Sequence, residues 1–143
     1  MGRGDRMKNA VRDITLYNYY RDTSPEEEHD TCSRLYISGV SVFCENGVNA
    51  DKEGFSSSSV YTVRIPENSV KAKYAEPFEF DSLGDKEGYF TLREGDRIVL
   101  GMSGEKAPSR ARLEELYGRN VLVITGVTDN RGKRAPHYKV TGK

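Results

Sequence analysis

The sequence predicts a mainly β, all-β fold: a small β-barrel or sandwich of seven to eight short antiparallel strands with long loops and one short helix near 108–117. Three observations predict it. Short runs rich in β-branched and aromatic residues recur between turn residues, as in "VYTVRIP" at 60–66 and "YFTLREGDRIVLGM" at 89–102. Helical spacing of apolar residues is confined to "APSRARLEELYG" at 107–118. No strand–helix–strand rhythm and no internal repeat runs through the chain.

Composition sets the outer bounds. A chain of 143 residues is one domain by length. Hydrophobic residues make up 36% and charged residues 31%, so the expected core is thin. Nine Tyr and five Phe, with no Trp, suit sheet faces with amphipathic rims. Lys plus Arg equals Asp plus Glu at 22 each, which argues against a dedicated nucleic-acid binder. No apolar run is long enough to span a membrane. The start, "MGRGDRMKNAVRD", has no apolar stretch, so no secretory signal is expected and Cys32 and Cys44 are expected reduced.

Residues 1–10 are polar and basic and read as a flexible N-terminal arm, leaving 11–143 as a single barrel-like domain. The triplet Arg3-Gly4-Asp5 in that arm matches an integrin-binding motif by chance. In "DITLYNYY", 13–20, Ile14, Leu16 and Asn18 share one strand face, and Thr15, Tyr17 and Tyr19 the other. "RDTSPEEEHD", 21–30, reads as an acidic solvated loop broken by Pro25. "CSRLYISGVSVFCE", 32–45, is either one strand bent at Gly39 or a hairpin closed by Ser38-Gly39. In the hairpin case Cys32 opposes Glu45, and the two sulfurs point to opposite faces.

The polar stretch 46–59 is a long connection. In "VYTVRIP" Tyr61, Val63 and Ile65 alternate with Thr62 and Arg64, and Pro66 ends the strand. The second long connection, 67–88, holds at most one short strand around Phe78 and Phe80. Tyr89, Thr91 and Arg93 then alternate with Phe90 and Leu92. Glu94-Gly95-Asp96 turns the chain into the buried strand "RIVLGM", and this turn needs no ligand to explain it. "GMSGEK", 101–106, lacks the spacing of a phosphate-binding loop and reads as a flexible strand-to-helix link.

Pro108 and Ser109 start the helix, Leu113, Leu116 and Tyr117 form its apolar stripe, and Gly118 ends it. Arg110 and Glu114 are spaced to pair across one turn. "NVLVITGVTDNRGK" is a strand entering a turn at 129–132, and "PHYKVTG" is the last strand.

No chemistry-bearing motif emerges. His29 and His137 lie in no Cys/His cluster, and Cys32 and Cys44 lack zinc spacing, so neither metal nor cofactor is expected. There is no nucleophile elbow, and the serine run 56–59 has no nearby histidine. No catalytic residue is assigned and no enzyme activity is expected. Charge is segregated instead. Glu26, Glu27 and Glu28 stand in the acidic loop; Arg131, Lys133 and Arg134 stand in the basic tail with Lys139 and Lys143. Glu26, Glu27, Glu28, Arg131, Lys133 and Arg134 are the candidate protein-interface residues, acid meeting base between copies or on a partner. Near the basic ends only Tyr138 is placed to stack on a nucleic-acid base.

The stretches "DITLYNYY", "RLYISGVSVF", "SSVYTVRIP", "YFTLREGDRIVLG" and "VTDNRGKRAPHYKV", in this order, resemble an uncharacterised family of phage and prophage structural proteins of Gram-positive bacteria. The resemblance covers about residues 12–142. Members resemble minor capsid or head–tail connector proteins of the head-closure type, small barrels with long loops. The resemblance implies a non-enzymatic virion assembly protein and transfers no active site. Its partners are expected to be other phage structural proteins and copies of itself in a ring. No membrane, nucleic acid or small-molecule substrate is expected. The expected location is the host cytoplasm during assembly, then the virion. Loops 46–59 and 67–88 are the segments expected to order against neighbours. The alternative is a binding barrel of the OB type for single-stranded nucleic acid or saccharide. A third reading is an enzyme site assembled from scattered residues.

Overall fold

In the computed structural model, which describes residues 9–22, 29–45 and 60–143, six antiparallel strands close into a barrel. The elements are β1 (Asn9–Asp22), β2 (His29–Glu45), β3 (Val60–Pro66), β4 (Lys73–Tyr74), α1 (Pro77–Ser82) and β5 (Tyr89–Phe90). They continue with β6 (Arg97–Leu100), α2 (Arg110–Tyr117), β7 (Val121–Asn130) and β8 (His137–Gly142). The order around the barrel is β1-β2-β3-β8-β7-β6. It consists of two three-stranded meanders joined edge to edge, β1 to β6 and β3 to β8. Closure decides between barrel and sandwich, and it leaves β1 and β3 with a strand on either side.

The alternation in β1 places its side chains as expected, but both faces are buried. Ile14 and Leu16 enter the barrel core with Val63, Ile65, Ile98, Leu122 and Val140. Tyr17 and Tyr19 point outward into a second cluster with Cys32, Val99, Leu113 and Val121. Leu113 comes from α2, so the helix covers the aromatic face of β1. Asn9 and Ala10 belong to β1, so the strand takes in the last two residues of the expected arm, and 1–8 lie outside the described residues.

β2 runs unbroken through Gly39, whose φ of +77° bends it, so the bent strand is realised and not the hairpin. The β1–β2 register shifts between Arg12 and Ile14, opposite this bend. Cys32 and Cys44 are both free thiols on that one strand.

The connection 67–88 differs most from expectation. Phe78 and Phe80 lie in α1, not in a strand; the strand of this segment is β4, paired in parallel with β5. Pro77 at the helix start fixes a helical φ, and Glu79 Oε1 accepts from Glu76 N at 3.2 Å in a capping box. Phe80 is fully buried and meets Tyr20 edge-on at 6.2 Å, so this segment is packed onto the barrel without a neighbour. Among the described residues α1 thus stands beside the helix expected near 108–117, which is α2. In α2 the Ser109 side chain caps Arg112 N and Gly118 takes φ +54°, both as expected. Leu116, however, is exposed, and Glu114 reaches toward Arg97 at 3.8 Å while Arg110 stacks over Tyr19.

Candidate functional site

Two polar clusters occupy the positions where chemistry could reside, and both are spent on holding the chain together. The first lies at one end of the barrel. Asn18 follows Ile14 and Leu16 on the inward face of β1 and is buried. Its Nδ2 donates to Thr91 O at 2.7 Å and Asp96 Oδ2 at 2.9 Å, and its Oδ1 accepts from Thr91 N at 3.1 Å. Asp96 also accepts from Tyr19 N at 3.1 Å. Arg93 sits 3.4 Å from Asp96 and 2.9 Å from Asp81. Burial raises the Asp96 carboxyl above its ordinary value, against the opposing pull of Asn18, Tyr19 and Arg93. The turn 94–96 is thus a corner, as its sequence suggests, but one clipped to β1.

The second cluster straps 101–108 to the outer face of β1 and β2. The Tyr17 hydroxyl lies 2.7 Å from Ser103 Oγ and 2.6 Å from Glu105 O. A carbonyl only accepts, so the Tyr17 proton is committed to Glu105 and Ser103 supplies the one between the hydroxyls. Tyr117 OH donates to Ser103 Oγ at 2.9 Å, Tyr36 OH to Ser103 O at 2.6 Å, and Tyr19 OH to Pro108 O at 2.9 Å. Ser103 N in turn donates to Thr15 Oγ1 at 2.9 Å. The expected flexible link is therefore clamped. Cys32 lies inside this cluster, 3.7 Å from Pro108 O, and burial pushes its thiol up to about 11. It stays protonated at neutral pH and is a packing residue rather than a nucleophile.

The sequence-predicted interface residues divide. Glu26, Glu27 and Glu28 lie outside the described residues. Arg131 is at the tip of the β7–β8 hairpin, but its guanidinium is committed. It contacts both oxygens of Asp129, at 2.7 to 3.1 Å, and lies about 5 Å above the rings of Tyr74 and Tyr138. That pairing holds the Asp129 carboxyl below its usual range. Lys133 and Arg134 beside it are exposed and make no ion pair among the described residues. Tyr138 is buried beneath Arg131 and packs on Tyr74 and Phe90, so it offers no stacking surface. His137 shares no metal-type cluster: among the described residues no group of three or more His, Cys, Asp or Glu is placed to hold an ion.

Two surface features were not read from the sequence. An open groove of about 800 Å³ separates the far end of the β1–β2 ribbon from the 81–88 loop, with Tyr20, Leu35, Asp81 and Lys86 among its walls. Lys86 is turned into it, donating to Leu83 O at 2.8 Å and lying 4.4 Å over the Tyr20 ring. The other feature is the outer face of β3 and β8. There Arg64 and Lys139 are direct cross-strand neighbours, and neither strand contains an acid. The spacing of Arg64 was legible in "VYTVRIP"; its neighbour 75 positions later (139 less 64) was not.

No curated protein and no solved structure matches the chain. One family profile does, over residues 9–143, a span that takes in every strand of the barrel: the chain belongs to DUF6751, a family of unknown function.

Proposed function

We propose that this chain is a non-enzymatic virion assembly protein of a phage or prophage, a head–tail connector or minor capsid component that works by protein–protein contact. The observation that carries this reading is where the polar groups are spent. Asn18, Asp96, Tyr17 and Ser103 are consumed in hydrogen bonds that hold a closed barrel together, while Lys133, Arg134, Arg64 and Lys139 stand on its surface without ion-pair partners among the described residues. A rigid scaffold with unspent surface charge suits docking, where charge sets register and encounter rate. The resemblance of "YTVRIP", "YFTLREGDRIVLG" and "DNRGKRAPHYKV" to phage structural proteins supplies the biological setting. Its location follows from it: host cytoplasm during assembly, then the particle.

The genes flanking the coding sequence give the quickest test; portal, capsid and tail genes are expected there. Deleting the gene from an inducible element should then leave filled heads without tails. Normal particle yield without the chain overturns the reading. A second reading, a barrel that binds single-stranded nucleic acid or saccharide, draws support from the acid-free face of β3 and β8. It predicts an oligonucleotide shift that weakens steeply with salt.

A further inference from the structure

We propose that the outer face of β3 and β8 docks the acidic segment 76–87 of a second copy of this chain, with Phe78 at the centre of the contact. This rests on the protein-contact reading and names the surfaces it would use.

Val63, Ile65, Tyr138 and Val140 take the inward positions of β3 and β8, so Arg64 and Lys139 project outward from directly opposed positions. Like charges placed opposite each other across strands are destabilising. The chain keeps this pair with no acid on either strand and no ion-pair partner among the described residues. An anionic surface laid over the pair relieves that repulsion. Segment 76–87 has the matching chemistry: five acids and a single lysine. That lysine, Lys86, is turned into the groove over Tyr20, and Asp81 is held by Arg93. Glu76, Glu79, Asp85 and Glu87 are left exposed without a cation among the described residues.

Phe78 stands among them 83% exposed, on a helix anchored by the fully buried Phe80. A large aromatic ring held rigidly inside a charged rim is the usual make-up of an interface anchor. The copy is favoured over nucleic acid because the chain is neutral overall, with its charges sorted into opposite patches, and because Tyr138 is buried. Two different patches meeting make a heterologous contact, which propagates into a ring or an open chain.

Sedimentation velocity on the full chain tests this with two variants, Arg64→Glu/Lys139→Glu and Asp85→Lys/Glu87→Lys, the second sparing Glu79 because its carboxylate caps α1. Wild type is expected to associate with rising concentration, less so as salt rises from about 50 mM to about 500 mM. Each variant alone should associate about tenfold more weakly or not at all, and their equimolar mixture should recover association, since each keeps one intact patch. Phe78→Ser should weaken association. All substituted positions are outside the two buried clusters, so far-UV circular dichroism and melting should show folded protein, and recovery in the mixture excludes misfolding. A wild type that stays monomeric overturns the proposal. So does association that ignores both reversals, an outcome that leaves the assembly reading standing on other surfaces. Oligonucleotide binding that is lost in Arg64→Glu/Lys139→Glu assigns the face to nucleic acid and overturns it as well.

Discussion

Asp96 accepts hydrogen bonds from Asn18 and from the Tyr19 amide and has Arg93 beside it, yet burial dominates its electrostatics and lifts its pKa above 3.8. The folded state therefore holds this proton to higher pH than the unfolded chain does. The group's contribution to stability is full below the unfolded value and is lost as pH rises through the folded one. Asp96→Asn removes that titration. In urea unfolding, the stability of wild type minus that of Asp96→Asn should fall as pH rises above the ordinary carboxylate range. A difference that is flat with pH rejects this account. Sequence could place Asp96 in a turn, because its neighbours Glu94 and Gly95 mark one, but its partner Asn18 is 78 residues away and local pattern does not reach that far. Gly142 is a second residue whose role depends on distant backbone. A Cβ there would lie 2.9 Å from Val123 O, so Gly142→Ala must displace strand β7. A loss of about 1–3 kcal/mol in unfolding free energy is expected; an unchanged melting temperature would show that the backbone yields freely.

At the scale of elements, the loop 101–108 and the β3–β8 pair make opposite predictions. The loop depends on side-chain hydrogen bonds, so Tyr17→Phe removes the hydroxyl that joins β1 to Ser103 Oγ and Glu105 O; Ser103 Oγ keeps Tyr117 and Glu105 O keeps Arg34, and the change should cost about 1 kcal/mol. Hydrogen exchange should locate the loss in 101–108 rather than in the barrel. Arg64→Glu alone, by contrast, turns a repelling neighbour of Lys139 into an attracting one and should raise stability by roughly 0.2–1 kcal/mol. A stability gain accompanied by weaker self-association is a combination that a purely structural arginine would not give. These elements also show what period-two alternation can convey. It identified "VYTVRIP" and the two faces of β1 correctly, since Ile14 and Leu16 are in the barrel and Tyr17 and Tyr19 under α2. It misread 77–82, because "FEF" alternates like a strand. There the decisive signals were Pro77 and the Glu76/Glu79 capping pair, which act on the backbone and leave no mark on hydrophobic spacing.

For the whole molecule the question is what closes the barrel. Alternation assigns a side chain to a face, but not a strand to a neighbour, so the strand count was readable and the two joins, β1 to β6 and β3 to β8, were not. Both joins link distant positions: Ile14 with Leu100, and Val63 with Val140. The last strand, β8, has a special place because it completes the second join. It pairs with β3 from Tyr61 to Pro66 and with β7 from Ile124 to Asn130, and Lys143 exchanges two backbone hydrogen bonds with Val123. It also brings the buried Tyr138 and Val140 into the core, where Tyr138 packs on Tyr74 and Phe90. Truncating Tyr138 to Ala alone should cost on the order of 3 kcal/mol, by analogy with other buried aromatic truncations. Deleting 137–143 removes that packing, removes Val140, and frees the hydrogen-bonding edge of β3. The summed loss rivals the roughly 5–15 kcal/mol that holds a typical domain folded. The deletion should therefore abolish the cooperative thermal transition throughout, β1 and β2 included, and the opened edges should make the product aggregate. Circular dichroism melting of the truncated chain is the measurement. A sigmoidal transition near the wild-type temperature would mean that the β1-β2-β3 meander is stable without closure, and that the barrel is an arrangement of two independent halves.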